Sequence, residues 1–167
     1  MSARAVDVGT GAGVPGLLLA VDHPGMRWTL VDASARRCSM AESACAALGL
    51  GDRVAVVHAR AEELAHRADW RGEFDLVVAR SFGDAAELAE CGVPLLRPGG
   101  VLVVSVTSET ALRWNDADLE PLGATVEDCW TTPAGRYLAV RRRAIGELPA
   151  GDRYPRRPAA RRRRPLF

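Results

Sequence analysis

Short apolar runs alternate with helix-forming runs along most of the chain, and this alternation limits the fold more than any other feature. Ala5–Val8, Arg27–Val31, Arg53–His58, Phe74–Ala79 and Val101–Val106 read as strands. Helical patterns fall between them. One starts at Pro15 and runs to Val21, with proline tolerated in the first turn because its missing N–H would have no partner there. Another covers Ala35 to Leu48, with Ser34 as N-cap and Gly49 as the stop. Ala61–His66, Ala85–Cys91 and Ser108–Trp114 follow. Strands that are apolar on both faces and separated by helices belong in a parallel sheet covered on both sides. Thr125–Trp130 and Tyr137–Arg141 read as two last strands joined at Pro133–Gly135. That connection is too short for a crossover, so one of the two runs antiparallel. Pro98-Gly99-Gly100 reads as a turn. The expected architecture is α/β, a mostly parallel sheet of seven strands with one antiparallel member, over residues 1–145.

The first strand runs into a glycine loop, "AVDVGTGAGVPGLLLAV", and two registers fit it. Gly11, Gly13 and Gly16 satisfy the G-x-G-x-x-G dinucleotide pattern, with Asp32 lying 16 residues after Gly16. Read instead from the acid, the loop is Asp7-x-Gly9-x-Gly11-x-Gly13, with Thr10 between the first two glycines. Here the backbone can lie against a ligand with no Cβ in the way. Asp7 beside it would repel a diphosphate but suits the amino group or sulfonium of S-adenosylmethionine (SAM). The second register fits better. Under either one, Asp32 at the end of the second strand can accept hydrogen bonds from ribose hydroxyls.

Charge is distributed unevenly. All 22 basic residues are arginine, and the formal net charge is only +1. Residues 151–167 carry seven arginines against one acid, Asp152, so the tail is +6 and residues 1–150 are −5. A basic tail on an acidic body points to a polyanionic partner. After Ile145 the apolar periodicity is lost, and residues 146–167 read as an extended Pro/Arg-rich tail. Cys38, Cys45, Cys91 and Cys129 form no CxxC pair and no Cys–His spacing suited to zinc, so no metal is expected. Cys38 and Cys45 are seven apart in a helix and face one side, as thiols of a reducing cytoplasm. His23, His58 and His66 are scattered over separate elements. Trp70, Trp114 and Trp130 are candidates either for packing or for stacking on an unstacked base. No apolar run approaches the length of a membrane helix.

The string "VDVGTGAGVPGLLLAV…TLVDASARR…ARAEEL…FDLVVARSF…PLLRPGGVLVV", with the tail "RYPRRPAARRRRPLF", resembles the bacterial 16S ribosomal RNA guanine-N7 methyltransferases (RsmG, or glucose-inhibited division protein B). The resemblance implies a class I SAM-dependent methyltransferase fold and a cytoplasmic enzyme that transfers a methyl group to guanine N7 of 16S rRNA. It also implies that Gly9 and Val14 contact SAM, that Ala61 and Glu62 flank the adenine, and that Asp32 holds the ribose. Arg80 of "VVARSF" would reach the cofactor or the reacting base as the catalytic residue. The tail arginines, Arg156, Arg157 and Arg161, Arg162, Arg163 and Arg164, would neutralise RNA phosphates. Guanine N7 carries a lone pair and no proton, so the transfer needs positioning rather than a general base.

Three features depart from the family pattern. Its members carry an N-terminal helical segment before the glycine strand, whereas Asp7 here follows Met1 closely. Surface left uncovered by that segment would favour a homodimer. The family's Lys-Gly pair after the fifth strand is replaced by "SVTSET", and its RAF by "RSF". A methyltransferase with another substrate, a non-catalytic SAM- or RNA-binding relative, and an NAD-dependent enzyme are the alternatives.

Overall fold

The computed structural model describes residues 2–144, 154–156 and 167. Its strands are β1 (Arg4–Val8), β2 (Arg27–Asp32), β3 (Val54–His58), β4 (Phe74–Ala79), β5 (Leu96–Val106), β6 (Ala124–Thr132) and β7 (Gly135–Arg142). They form one seven-stranded sheet in the order β3-β2-β1-β4-β5-β7-β6. Strands β1 to β5 pair in parallel, and β7 runs antiparallel between β5 and β6. The helices are α1 (Gly16–Asp22), α2 (Ala35–Ala47), α3 (Ala61–His66), α4 (Ala85–Gly92) and α5 (Ser108–Asn115).

Strand alternation divides the core between the two faces. Ala5, Trp28, Leu30 and Val78 pack with Leu17 and Ala20 of α1 and with Ala41 and Cys45 of α2. Val6, Val8, Val31 and Val77 face the other way, toward Leu64 of α3, Leu88 of α4 and Trp114 of α5. The local signals hold where they were expected. The Ser34 hydroxyl caps α2 by accepting from the Arg37 amide at 3.4 Å, and Gly49 follows the helix in the left-handed region at φ +66°. Cys38 and Cys45 are both buried on one side of α2, and burial pushes both thiols up in pKa.

One expectation fails. Pro98-Gly99-Gly100 does not separate β5 from what precedes it; all three residues lie inside the strand. Phe74 pairs with Leu96 and Leu76 with Val101, so residues 97–100 bulge opposite Asp75 before the ladder resumes. The turn chemistry is genuine, with Gly99 at φ +80°, but pairing on both sides of it keeps the strand continuous.

The tail is also more engaged than its composition suggests. The Tyr154 carbonyl accepts from Arg71 Nη1 at 2.7 Å. The Arg156 amide donates to Glu90 Oε2 at 2.8 Å, and its guanidinium donates to Oε1 from Nε at 3.0 Å. Glu90, on α4, is completely buried, so this is the partner that makes its burial tolerable. Phe167 packs on Trp114 with ring centroids 5.1 Å apart. These residues are in no helix or strand, so the segment is extended here and also docked on the body. Arg157 and Arg161–Arg164 lie outside the described residues.

Candidate functional site

In a sheet of this order the crevice opens at the C-terminal ends of β1 and β4, where the strand order reverses. The glycine loop lies there, held from beneath. Asp7 points toward α1 with no exposed surface; its Oδ2 accepts from the Thr10 hydroxyl at 2.7 Å and the Gly16 amide at 2.7 Å. Burial pushes the Asp7 carboxyl up to about 6, against the opposing hydrogen bonds from Thr10 and Gly16 and the nearby charge of Arg80. A Cβ on Gly16 would lie 2.3 Å from Leu30 and 2.8 Å from Asp7 Oδ2. Glycine at that position is a packing requirement between helix and strand.

Asp32 performs a second fastening. Its Oδ2 accepts from the Gly11 amide and its Oδ1 from the Ser34 amide, both at 2.9 Å. The amides of Gly13 and Val14 donate to the Thr10 carbonyl, and that of Leu17 donates to Gly13. The loop amides are thus largely turned inward, and the Gly16 amide is taken by Asp7. This arrangement argues against a diphosphate, which needs those N–H groups free. Asp7 and Thr10 were expected on the ligand surface. They sit below it instead and set the loop's shape.

Above the loop lies a cleft of about 270 Å³, lined by Gly9, Asp32, Ala61, Glu62, Ser81 and Phe82 among others. Gly9, at φ +70°, has the Phe82 ring 2.9 Å from where a Cβ would stand. Glu62 is held by Arg60 Nε at 2.8 Å, and Ala61 opens α3. These residues fit an adenosine: a carboxylate beside a glycine backbone for the ribose, and a helix start with an apolar floor for the base. Sequence reasoning missed Phe82, and Ser81 with its left-handed φ of +54°. The motif "RSFGD" names them, but only the sheet brings them against Gly9.

A larger cleft of about 580 Å³ continues past the Ser81–Gly83 turn. It is lined by Val14, Arg80, Ser105, Thr107, Arg136 and Tyr137, among others. Arg80 is exposed, and among the described residues no carboxylate forms an ion pair with it. Asp75, Asp84 and Glu87 are the acids a salt bridge from Arg80 would use by sequence; Asp75 pairs with Arg97 at 2.5 Å, and Asp84 with Arg113 at 3.7 Å and with the α4 amides. Arg136 was not foreseen. It immediately follows the Gly135 turn, a position that composition alone does not distinguish.

Comparison with known proteins agrees with this geometry. Residues 1–148 match the rRNA small subunit methyltransferase G family. The chain belongs to that family. A ribosomal RNA small subunit methyltransferase G from Synechococcus sp. (strain CC9902) is 38% identical over 167 residues, covering 96% of this chain and 68% of the relative. The relative from Synechococcus sp. (strain CC9311) is also 38% identical, and the chain spans 63% of its length. The relative from Moorella thermoacetica is 31% identical over 99% of this chain and 70% of its own. Among solved structures, a variant of the 16S rRNA (adenine(1408)-N(1))-methyltransferase from Catenulisporales acidiphilia superposes with a TM-score of 0.68 at 24% identity, over 86% of each chain. The antibiotic-resistance methyltransferase Kmr gives 0.66 at 21% identity, over 84% of this chain and 87% of its own. These last two show the fold, that of the class I SAM-dependent methyltransferases.

Among the described residues no helix is long and apolar enough to cross a membrane, and no group of three His, Cys, Asp or Glu is placed to hold a metal ion.

Proposed function

We propose that this chain transfers a methyl group from SAM to guanine N7 of 16S ribosomal RNA, in the cytoplasm. One observation carries the reading. Among the described residues, the two clefts on the substrate side of the loop, of about 580 and 310 Å³, are lined by two arginines and by no carboxylate, imidazole or thiol. Such a site has nothing suited to removing a proton at neutral pH. It suits a nucleophile that has none to lose, and guanine N7 is one.

Gly9, Gly11, Asp32, Ala61 and Glu62 would hold the cofactor, with Val14 at the mouth of the larger cleft. Bound there, SAM supplies an electrophilic methyl on its sulfonium. Arg80 stands at the junction of the clefts, where its fork of donors can grip guanine O6 or an adjoining phosphate and fix the approach of N7. Its free guanidinium supports this role over a structural ion pair. Thr107 and Ser105 add hydroxyls along the same wall. Arg157 and Arg161–Arg164 would add a salt-dependent hold on RNA phosphates; Arg156 is committed to Glu90.

Calorimetry with SAM and with NAD tests the cofactor, and transfer from labelled SAM to undermethylated small-subunit rRNA tests the reaction. SAM binding with label recovered as N7-methylguanosine is the expected outcome. Binding of NAD alone would overturn the reading, and label in another nucleoside would replace its substrate.

A further inference from the structure

Among the described residues, 81–83 are the ones that line both the 270 Å³ cleft of the cofactor and the 580 Å³ cleft of the substrate. This short wall follows β4, with Ser81 in the left-handed region at φ +54° and Gly83 at φ +38°, and Asp84 then caps α4. A non-glycine residue in that region is strained, and its surroundings must hold it there. The effect is to set the half-buried Phe82 ring against Gly9, the first residue after β1. A Cβ on Gly9 would stand 2.9 Å from Phe82 Cδ2, so the bare backbone is what lets the ring come this close.

A methyl group passing from a donor in one cleft to a base in the other has to cross this wall, and the donor carries a positive charge. The charges on either side do little for it. Arg80 and Arg136 line the larger cleft and would repel it. In the cofactor cleft, Asp32 accepts from the Gly11 and Ser34 amides, Glu62 accepts from Arg60 Nε at 2.8 Å, and Glu87 acts electrostatically on Arg60. The wall itself offers a hydroxyl from Ser81 and a ring from Phe82. An aromatic face is negative by its quadrupole, so it attracts a cation that has shed its water and gains nothing comparable from a neutral thioether.

We propose that Phe82 is the residue by which this chain reads the charge of its cofactor, its ring favouring the sulfonium of SAM over the uncharged product S-adenosylhomocysteine (SAH). The proposal rests on the SAM-dependent reading above. When N7 gives its lone pair to the methyl carbon, the C–S bonding pair stays on sulfur and the positive charge passes to the purine ring. The attraction at Phe82 is then lost, which favours exchange of the spent cofactor for a fresh one.

Calorimetry of the full chain with SAM and with SAH, in the absence of RNA, tests this. Phe82→Leu keeps apolar bulk without a π-face. It is expected to raise the Kd for SAM about fivefold, the size of one cation–π contact, and the Kd for SAH by less than about twofold. Phe82→Tyr keeps the ring and should keep the parental ratio of the two Kd values. Thermal melting without ligand shows that each variant is folded, and Phe82→Met is read in the same way should Phe82→Leu not fold. Equal weakening of both ligands would make the ring a packing residue and overturn the proposal, and so would two unchanged Kd values. Loss of the SAM preference in Glu87→Gln, with the parental ratio kept in Phe82→Leu, would assign the charge reading to Glu87 and overturn it as well. A parent chain that binds neither SAM nor SAH would remove the cofactor reading, and this role of Phe82 with it.

Discussion

Around Gly9 and Asp32 the polar groups are tied to one another; around Arg80 and Arg136, farther along the same sheet edge, the charges have no ion-pair partner among the described residues. The first region, in the proposed function, would bind by the shape of its backbone. Asp7 and Asp32 use their carboxylates on loop amides, so the cradle is rigid before any ligand arrives. The second region, in the proposed function, would bind by side chains held ready. Arg80 and Arg136 form no ion pair among the described residues, and an RNA substrate would supply the anions. On the proposed function, one fold divides its work: a fixed cofactor cradle built by local sequence, and an adaptable substrate rim gathered from distant strands.

Substitutions separate the two regions. Removing the guanidinium of Arg156 should cost about 4 kcal/mol because the completely buried Glu90 carboxylate is left without its charged partner. Urea unfolding of Arg156→Ala measures this, and it would show that the tail anchor is part of the fold rather than of the RNA-binding rim. Gly16→Val should cost about 3 kcal/mol by driving a side chain into Leu30 and Asp7. Loss of SAM binding should accompany it, as seen by calorimetry at a temperature where the variant remains folded.

The Asp7 carboxyl gives a pH test with a definite sign. Between its ordinary value of 3.8 and its folded value of about 6, the folded chain keeps a proton that the unfolded chain has released. Stability without ligand should therefore fall by about 3 kcal/mol as pH rises through that window and level off above it. Urea unfolding at intervals from about pH 4 to about pH 7 checks this, and Asp7→Asn should flatten the curve. A rise in stability over the same range would mean that Asp7 is held as a carboxylate. Arg80→Ala should reduce methyl transfer about 100-fold, the scale of lost positioning, with little change in melting temperature because Arg80 has no structural partner. Full turnover in that variant would remove Arg80 from the reaction.

Much of the first region was legible in the sequence because its signals are local. The strand, the glycines, the helix start and the acid ending the next strand lie within the span from Ala5 to Asp32, and Ala61 follows one strand later. Asp7 and Thr10 were legible as members of the loop but not as its underside. Strand alternation turns Asp7 toward α1, and only the packing of that helix closes it from the surface. The second region was legible only in part. Arg80 stood out through its motif, whereas Arg136 and Tyr137 reach it because β7, not β6, pairs with β5; the short connection encodes the antiparallel hairpin but not which of its strands enters the sheet. Glu90 gave no signal at all. It is one acid in an apolar helix, and its partner lies 66 residues onward.

A substrate side that works by position and takes no proton gives methyl transfer that is insensitive to pH near neutrality. In single-turnover transfer at saturating SAM and rRNA, followed across about pH 6.5 to 8.5, the rate should change by less than about twofold. A tenfold rise with a midpoint near 7 would reveal a general base at work and contradict it.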